Sequence, residues 1–249
     1  VDGAGTVECV TPVFEHYQEK EMAAGNYAVV PYIIPGKYVC YAFSFTGGAL
    51  IEWFINNLAG DATEQARAQG QDVHTYLESG WKGEPTGILV LPHFAGAATP
   101  YMDPGSRGAI VGLNMAHTQR DLYLAVMEGV CYEMRLNVDR LRQAGVTINS
   151  LRATGGGAKS RVWMQMKADI LNLPVTALRV NEAGATGSAM LVGIALGLFR
   201  DLDEAANVMV AQQETYLPRS EAHEKYNAVY EKYRALYPAV RPLVQGTGA

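Results

Sequence analysis

The sequence predicts a single α/β domain in which helices cover a mixed sheet. Its segments follow in the order of three strands, a long helix, and then a strand, helix, strand and helix. That alternation is typical of α/β architectures. The long helix is predicted over Gln119–Gln143, where apolar residues recur on one face. Leu151–Leu171 then runs from a short apolar segment through three glycines into an amphipathic helix.

The first part of the chain is rich in strand formers. Tyr27–Ile33 is apolar and β-branched, Pro35-Gly36 predicts a turn, and Tyr38–Phe45 alternates as a hairpin partner would. Together with the threonines at the start, these segments predict a small antiparallel meander. Gly47-Gly48 then opens a predicted helix that continues to Asn57.

The middle of the chain is predicted to carry a surface insertion. Asp61–Gly83 is polar and mostly helical in pattern, so we expect it to lie over the surface as an inserted segment. Thr86–Phe94 is an apolar strand candidate, and the loop that follows is rich in turn residues. A short strand at Ile110–Leu113 precedes the long helix.

The glycine turn, Gly155 to Gly157, is a candidate phosphate-binding turn. Glycine permits positive φ and a close approach of the backbone to a ligand, and the following helix presents unpaired amides and its positive dipole end. Tight strand-to-helix turns also need glycine for steric reasons alone, so the three glycines leave both interpretations open. A Walker A loop is excluded, because it would require glycine at Ala153 and Ala158. The dinucleotide fingerprint is excluded because Ser160 stands where its third glycine would be.

The last part of the chain is predicted to be mainly helical. After a short strand at Pro174–Ala177, the uncharged segment Ala183–Phe199 is slightly short for a membrane span. Small residues recur in it at every fourth position, and we expect a helix buried against the sheet. Helices are also predicted over Asp201–Val210 and Ser220–Tyr237.

Composition narrows the class of partner. The chain has 249 residues, of which 49% are hydrophobic and 18% charged, with a net charge of −5. This balance argues against nucleic-acid and membrane-surface binding and favours a small-molecule partner. Three cysteines without C-x-x-C spacing suggest neither disulfides nor a zinc site, and five scattered histidines suggest no metal site. We expect a cytoplasmic protein and, because the sequence starts without methionine or a signal peptide, a piece of a longer one.

Several segments, in order, resemble the C-terminal half of the FGGY family of carbohydrate kinases. They are LPHFAGAATPYMDPGSRGAIVGL (Leu91–Leu113), GGGAKS with MQMKADILNLPV, and EAGATGSAMLVGIALG (Glu182–Gly197). The resemblance covers nearly the whole chain, and the ordered combination is specific where each piece alone is not. One departure is Gly96-Ala97-Ala98, where the family frequently has Gly-Glu-Arg.

The resemblance implies a ribonuclease-H-like fold of the actin and hexokinase type, with helices on both faces of a mixed sheet. Members bind ATP between two domains and bind the sugar mainly on the N-terminal one. Residues 1–249 would then be the C-terminal ATP-binding domain, with ATP and Mg²⁺ as cofactors and the sugar-binding domain outside this chain. Dimers are frequent among members, and the sequence leaves a homodimer open.

The resemblance also implies a set of nucleotide-contacting residues. They are Thr6 near the terminal phosphates, Gly48 and Glu52 lining the nucleotide, Gly156 and Gly157 at phosphate and ribose, and Ser160 near the adenine. Simpler alternatives remain for some: Thr6 as a strand residue, Gly48 as a helix-start glycine and Glu52 as a solvated carboxylate.

Other charged residues are expected to be structural. Asp103 and Arg107 are predicted to form an ion pair that holds their loop, and Glu128 and Glu133 are expected to be structural or exposed. No catalytic residue is assigned, because in the family the base is an aspartate of a Gly-Asp motif that would precede Val1.

The sequence therefore predicts the ATP-binding half of a sugar kinase that is inactive by itself. A xylulose-like pentulose is the expected substrate, because GGGAKS and the helix after it most resemble xylulose-type kinases. The alternatives are a non-catalytic nucleotide-binding or regulatory module of the actin-like superfamily and a sugar-binding interaction domain.

Overall fold

The structure is a computed structural model that describes residues 1–179 and 182–244. Its strands are β1 Asp2–Ala4, β2 Glu8–Val10, β3 Val13–Phe14, β4 Val29–Pro31, β5 Tyr38–Cys40, β6 Ala42–Ser44, β7 Leu89–Leu91, β8 Ala109–Val111, β9 Leu151–Thr154, β10 Val175–Leu178 and β11 Gln212–Tyr216. Its helices are α1 Glu19–Ala24, α2 Gly48–Leu58, α3 Gly60–Ala68, α4 Val73–Glu78, α5 Gln119–Gln143, α6 Arg161–Leu171, α7 Ala183–Ala195, α8 Leu202–Met209, α9 Ser220–Tyr233 and α10 Leu236–Val244.

A six-stranded mixed sheet organises the domain, in the order β11-β10-β9-β1-β2-β6. The central pairs β1/β9 and β9/β10 are parallel, whereas β1/β2, β2/β6 and β10/β11 are antiparallel. Gly3 lies opposite Thr154 on one side and Cys9 on the other. The register therefore brings the β1–β2 turn beside the loop that follows β9. The mixed sheet predicted from the sequence is confirmed.

The predicted meander is divided between two sheets. β4 and β5 pair as antiparallel neighbours, as expected, and β3 completes a separate three-stranded sheet. The second half of the predicted strand, β6, pairs instead with β2 in the large sheet. Tyr41, which stands between β5 and β6 and outside both strands, is where the chain passes from one sheet to the other.

The predicted long helix is α5, and it forms the centre of the core. It begins with a capping box, in which the side chains of Thr118 and Asp121 each accept a hydrogen bond from the other's backbone amide. It packs against α6 and against strands β2, β6 and β7. The contact with β7 is close at Gly129, where an added Cβ would lie 2.5 Å from the carbonyl oxygen of Val90.

The segment Asp61–Gly83 is helical, as predicted, and it contacts the core. It forms α3 and α4, and α4 packs against α5. Ala66 and Leu77 are buried, whereas the remaining surface of the two helices is largely polar. Whether it is an insertion relative to similar domains stays a prediction.

The prediction of a buried helix over Ala183–Phe199 is wrong. The helix, α7, ends at Ala195 and is largely exposed; within it only Met190 and Gly193 are buried. Its main packing partner is α8 rather than the sheet. Gly193 makes room for the ring of Phe199, which folds back beside it. No helix in residues 1–179 or 182–244 combines the length and apolar character required to span a membrane.

The C-terminal helix predicted over Ser220–Tyr237 is two helices, α9 and α10. Pro238 explains the break, because it has no amide to donate to the carbonyl of Arg234 in a continuous helix. The predicted helix at Asp201–Val210 is confirmed as α8, with the Asp201 carboxylate accepting from the amide of Glu204 at 2.9 Å. The strand β11, which lies between α8 and α9 in the chain, was not predicted, because its sequence Gln-Gln-Glu-Thr-Tyr lacks an apolar alternation.

We expect Gly129→Ala to destabilise the protein, because the new methyl group would displace β7 from α5. The expected loss in unfolding free energy is about 1–3 kcal/mol, measured by urea denaturation. Gly60→Ala is the matched control, since nothing lies within 4 Å of a Cβ at that helical position. Equal unfolding free energies for the two variants would contradict the assigned contact.

Candidate functional site

Three backbone segments meet at one end of the sheet. They are the turn between β1 and β2, the start of α2, and the glycine turn after β9. The amide of Gly48 donates to the carbonyl of Gly5 at 2.8 Å, and the amides of Gly47 and Ala49 donate to the carbonyl of Thr6 at 3.1 and 3.0 Å. On the other side, a Cβ at Gly155 would lie 2.6 Å from the carbonyl oxygen of Ala4. The β1–β2 turn is therefore held between the other two segments.

The three glycines of the turn have different roles. Gly155 has φ of +97° and lies against Ala4, and a Cβ at Gly157 would lie 2.6 Å from the Trp163 ring. Both positions therefore require glycine for steric reasons. Gly156 has neither constraint, because nothing lies within 4 Å of a Cβ placed there. The space above Gly156 is thus open to a ligand.

The backbone amides of this turn are available to an acceptor. The turn continues as a 3₁₀ helix over Gly156–Lys159, ahead of α6. The amides of Gly156 and Gly157 donate to no acceptor in residues 1–179 and 182–244. Two such amides at the start of a helical turn are the arrangement that binds anions.

Thr6 lies at the tip of the β1–β2 turn, so its interpretation as a strand residue is wrong. Its side chain is exposed, and its hydroxyl has no hydrogen-bond partner within the described ranges. Gly48 lies at the start of α2, next to the β1–β2 turn. A Cβ at Gly48 would be 2.8 Å from the Gly5 carbonyl oxygen, and that carbonyl already accepts its amide. Close packing at the start of α2 therefore requires glycine here, and its place along the nucleotide stays a prediction.

Ser160 is the N-cap of α6 and also contacts α4. Its hydroxyl accepts from the amide of Trp163 at 2.9 Å and donates to Oε1 of Glu78 at 2.8 Å. Burial raises the pKa of Glu78, and the hydrogen bond from Ser160 partly offsets that effect. The Ser160 hydroxyl therefore already donates its hydrogen bond, and the acceptor, the Glu78 carboxylate, lies beside it.

Glu52 is exposed and approaches the same helix. Its Oε1 lies 3.4 Å from Nε2 of His74, whose Nδ1 lies 3.1 Å from the hydroxyl of Tyr123. α4 therefore joins α2 to the start of α6 through His74 and Glu78. The sequence analysis missed both residues, because the polar pattern of Asp61–Gly83 indicates only a surface helix.

A cavity of about 390 Å³ opens beside the glycine turn, at the carboxyl ends of β9 and β10. It is lined by Gly155, Ala158, Lys159, Leu178, Arg179 and Gln213. Lys159 and Arg179 have no ion-pair partner in the described part of the chain. The carboxyl ends of parallel strands are a common ligand position in α/β domains, and here two uncompensated cations favour an anion. Arg179 and Gln213 lie outside the sequence motifs and were missed.

The match to a family model decides the relationship. Residues 3–196 match the model described as the FGGY family of carbohydrate kinases, C-terminal domain. The chain belongs to the FGGY family of carbohydrate kinases.

Two kinds of kinase, xylulose kinases and glycerol kinases, are among the similar proteins. A xylulose kinase of Staphylococcus epidermidis is 28% identical over 210 residues, which are 84% of this chain and 41% of that protein. A glycerol kinase of Saccharolobus islandicus is 32% identical over 195 residues, 78% of this chain and 37% of that protein. The chain therefore spans less than half the length of the curated FGGY kinases that it matches.

A solved structure confirms the fold class. The crystal structure of a xylulose kinase from Rhodospirillum rubrum superposes with a TM-score of 0.82 at 26% identity, covering 98% of this chain and 47% of that chain. The domain thus has the actin and hexokinase type of fold that the resemblance implied.

The predicted ion pair between Asp103 and Arg107 is wrong. The Asp103 carboxylate accepts from the Tyr237 hydroxyl at 2.8 Å and from Nε of Arg241 at 3.0 Å, and both donors lie on α10. Arg107 donates instead to the carbonyls of Pro104 and its neighbour Ser106, at 3.2 and 3.0 Å. The partner from α10 could not be identified by spacing, since it lies more than 130 residues away.

Glu128 and Glu133 are structural, as expected, and both are buried. Glu128 accepts from the amide and the hydroxyl of Thr86, each at 2.9 Å. Glu133 lies 3.3 Å from Nε2 of His93 and accepts from the hydroxyl of Tyr233. Neither carboxylate contacts the glycine turn.

Glu128 makes the unfolding free energy depend on pH. Burial raises its pKa to about 8, against the opposing effect of the Thr86 hydrogen bonds. A carboxyl group with a raised pKa in the folded state contributes stability below its ordinary pKa, and that contribution is lost as the pH rises through about 8. We expect Glu128→Gln to flatten the decline between pH 5.5 and 7.5 by about 1 kcal/mol per pH unit, measured by urea denaturation.

Glu64→Gln, at an exposed position on α3, should retain the pH dependence of the unmodified protein. If the unfolding free energy of Glu128→Gln depended on pH as steeply as that of the unmodified protein, Glu128 would already be ionised in the folded state.

Proposed function

We propose that this chain is the nucleotide-binding half of an ATP-dependent carbohydrate kinase, which transfers the γ-phosphoryl group of ATP to a sugar hydroxyl. The observation that carries the proposal is the glycine turn. Its amides at Gly156 and Gly157 lack acceptors, the space at Gly156 is open, and a cavity with two cations adjoins it. Membership of the FGGY family supports this assignment.

Each part of the site has a proposed role. The amides of Gly156 and Gly157 donate to phosphate oxygens, and the Thr6 hydroxyl contacts the terminal phosphates. Lys159 and Arg179 compensate charge from the cavity side. Gly48 and Glu52 lie along the nucleotide, and Ser160 with Glu78 lies near the base. Backbone amides held by a rigid fold stabilise developing charge without rearranging during the reaction.

We propose that Mg²⁺ accompanies the nucleotide. Mg²⁺ supplies charge neutralisation on the phosphates. Within residues 1–179 and 182–244, no three His, Cys, Asp or Glu side chains are grouped so that they could hold a metal ion. Because Mg²⁺ keeps several waters and takes only one or two protein ligands beside phosphate oxygens, we propose that the phosphates of the nucleotide hold it.

The catalytic base and the sugar site are proposed to belong to the preceding half of a longer protein. The chain covers 41% of the length of a xylulose kinase relative. Phosphoryl transfer requires an acceptor hydroxyl in line with the γ-phosphorus and a base for its proton. We accordingly propose that the isolated chain binds ATP without turning over a sugar.

Among sugars, we propose a pentulose such as xylulose as the substrate. Xylulose kinases are among the similar sequences and among the similar structures. Glycerol kinases match this chain at comparable sequence identity. The choice of substrate is therefore a separate proposal from the proposal of kinase activity. Assays of the whole protein with xylulose and glycerol distinguish the two substrates. We also propose a cytoplasmic location, as expected for a kinase that uses ATP.

Gly156→Ala tests the nucleotide site. Its methyl group would enter open space, so the unfolding free energy should remain within about 0.5 kcal/mol of the unmodified value. ATP affinity, measured by titration calorimetry with Mg²⁺, should fall at least about tenfold because the methyl group occupies the approach to the amides.

Gly60→Ala is the control, as it also adds a methyl group in open space. ATP binding that is unaffected by Gly156→Ala would refute the placement of the phosphates. ATP binding together with a whole protein that phosphorylates no sugar would favour a regulatory nucleotide-binding module.

A further inference from the structure

The helix α7 has the composition of a buried helix but an exposed surface. No charged residue occurs between Glu182 and Arg200, whereas a helix at the surface of a globular domain ordinarily carries charged or polar residues on its outer side. The neighbouring α8 follows that rule, because Asp203, Glu204 and Asn207 occupy exposed positions on it. The sequence of α7 therefore indicates a covering surface that the described part of the chain does not provide.

One side of α7 is covered and the other is not. Met190 and Gly193 are buried, and the main packing partner of the helix is α8. The exposed side carries residues at helical spacing, which we call the α7 stripe: Ala185, Ser188, Ala189, Val192 and Leu196. Its first residues are small, and its last two are apolar side chains that are 57% and 70% exposed.

α7 lies at the edge of the sheet that carries the glycine turn. β9 and β10 are parallel, so their carboxyl ends lie at the same edge, and the glycine turn follows β9 there. The chain leaves β10 at this edge, passes through α7 and α8, and returns in β11 with Gln212 opposite Leu178. The two helices therefore stand beside the cavity that Arg179 and Gln213 line.

α7 is part of the domain that the family shares. The match to the family model extends to residue 196 and contains the whole helix. The xylulose kinase from Rhodospirillum rubrum covers 98% of this chain, which leaves too few residues unmatched to omit α7. This chain covers only 47% of that kinase. The other part of such a protein is therefore available to cover the stripe.

We propose that the α7 stripe packs against an uncharged, apolar face of the sugar-binding half of the longer protein. This proposal rests on the proposed function, which places that half before this chain. Phosphoryl transfer requires the acceptor hydroxyl in line with the γ-phosphorus, so the sugar-binding half must stand over the edge that carries the glycine turn. Ala185 and Ala189 permit a close approach of the backbones, and Val192 and Leu196 contribute apolar area.

A second copy of this chain is the competing occupant. Seated on the stripe, it would lie at the edge where the phosphates are proposed to bind. It would then stand in the path of the sugar-binding half. The position of α7 therefore favours the sugar-binding half over a second copy.

Hydrogen–deuterium exchange, followed by mass spectrometry in this chain and in the longer protein, tests the contact. We expect residues 183–196 to exchange at least about tenfold more slowly in the longer protein, because a covering surface suppresses the opening of a helix that α8 alone supports. Peptides from α3 are the internal reference and should exchange at the same rate in both proteins.

Val192→Lys places a charge in the stripe. Val208→Lys is the matched control, because Val208 is a 68% exposed valine on α8, outside the stripe. In the isolated chain both variants should keep the urea midpoint and the ATP affinity of the unmodified chain, since each changes an exposed side chain. In the longer protein, Val192→Lys should return α7 to fast exchange, because an unpaired charge resists burial. It should also lower kcat/KM at least about tenfold for xylulose or glycerol, whichever is turned over, by misplacing the acceptor hydroxyl. Val208→Lys should do neither.

The proposal is overturned if α7 exchanges equally fast in both proteins, if Val192→Lys leaves the exchange and turnover of the longer protein unchanged, or if no longer protein contains this chain. A dimer of the isolated chain in sedimentation experiments, dissociated by Val192→Lys, would assign the stripe to a second copy and overturn it as well. Slow exchange of α7 in a longer protein that phosphorylates no sugar would support the contact while refuting the proposed kinase activity.

Discussion

A buried cluster of Lys167, Asp2 and Glu8 holds the site together. Lys167, on α6, donates from Nζ to Oδ2 of Asp2 at 2.6 Å and to Oε1 of Glu8, and all three side chains are almost completely buried. Asp2 lies on β1 and Glu8 on β2, so the cation binds both strands of the turn that carries Thr6. α6 in turn begins just after the glycine turn. The cluster therefore fixes the position of the β1–β2 turn relative to the glycine turn, the two segments proposed to contact the phosphates.

The charge balance of this cluster follows from its burial. Burial, reinforced by the neighbouring Asp2 charge, raises the pKa of Glu8 well above its usual range. For Asp2, burial alone would raise the pKa, but Lys167 and the hydrogen bond with Glu8 lower it on balance. A protonated Glu8 leaves one cation and one anion, which is the least unfavourable arrangement inside a protein. Oδ1 of Asp2 and Oε2 of Glu8 have no hydrogen-bond partner among the described residues.

Much of the fold could be predicted from local pattern. The apolar periodicity of α5 and the order of strands around the glycine turn were sufficient for the domain class. The exposure of α7 could not be predicted, because an uncharged helix has the same sequence whether or not another surface covers it. The strand β11 was missed because its polar edge sequence has no apolar alternation.

The candidate site was predictable where it depends on backbone and not where it depends on distant side chains. Glycine composition indicated the turn, but only the structure separates Gly155 and Gly157, which are required by packing, from Gly156, which is not. His74, Glu78 and Arg179 reach the site from other elements, and no spacing in the sequence connects them to it. The same reason explains Asp103, whose partners come from α10.

The central claim is that the amides of Gly156 and Gly157 bind the phosphates of ATP. Titration of the ¹⁵N-labelled chain with ATP and Mg²⁺, followed by amide chemical shifts, tests it most directly. We predict that these two amides and that of Thr6 shift most and saturate together. ATP binding that leaves the Gly156 and Gly157 signals unchanged would contradict the account.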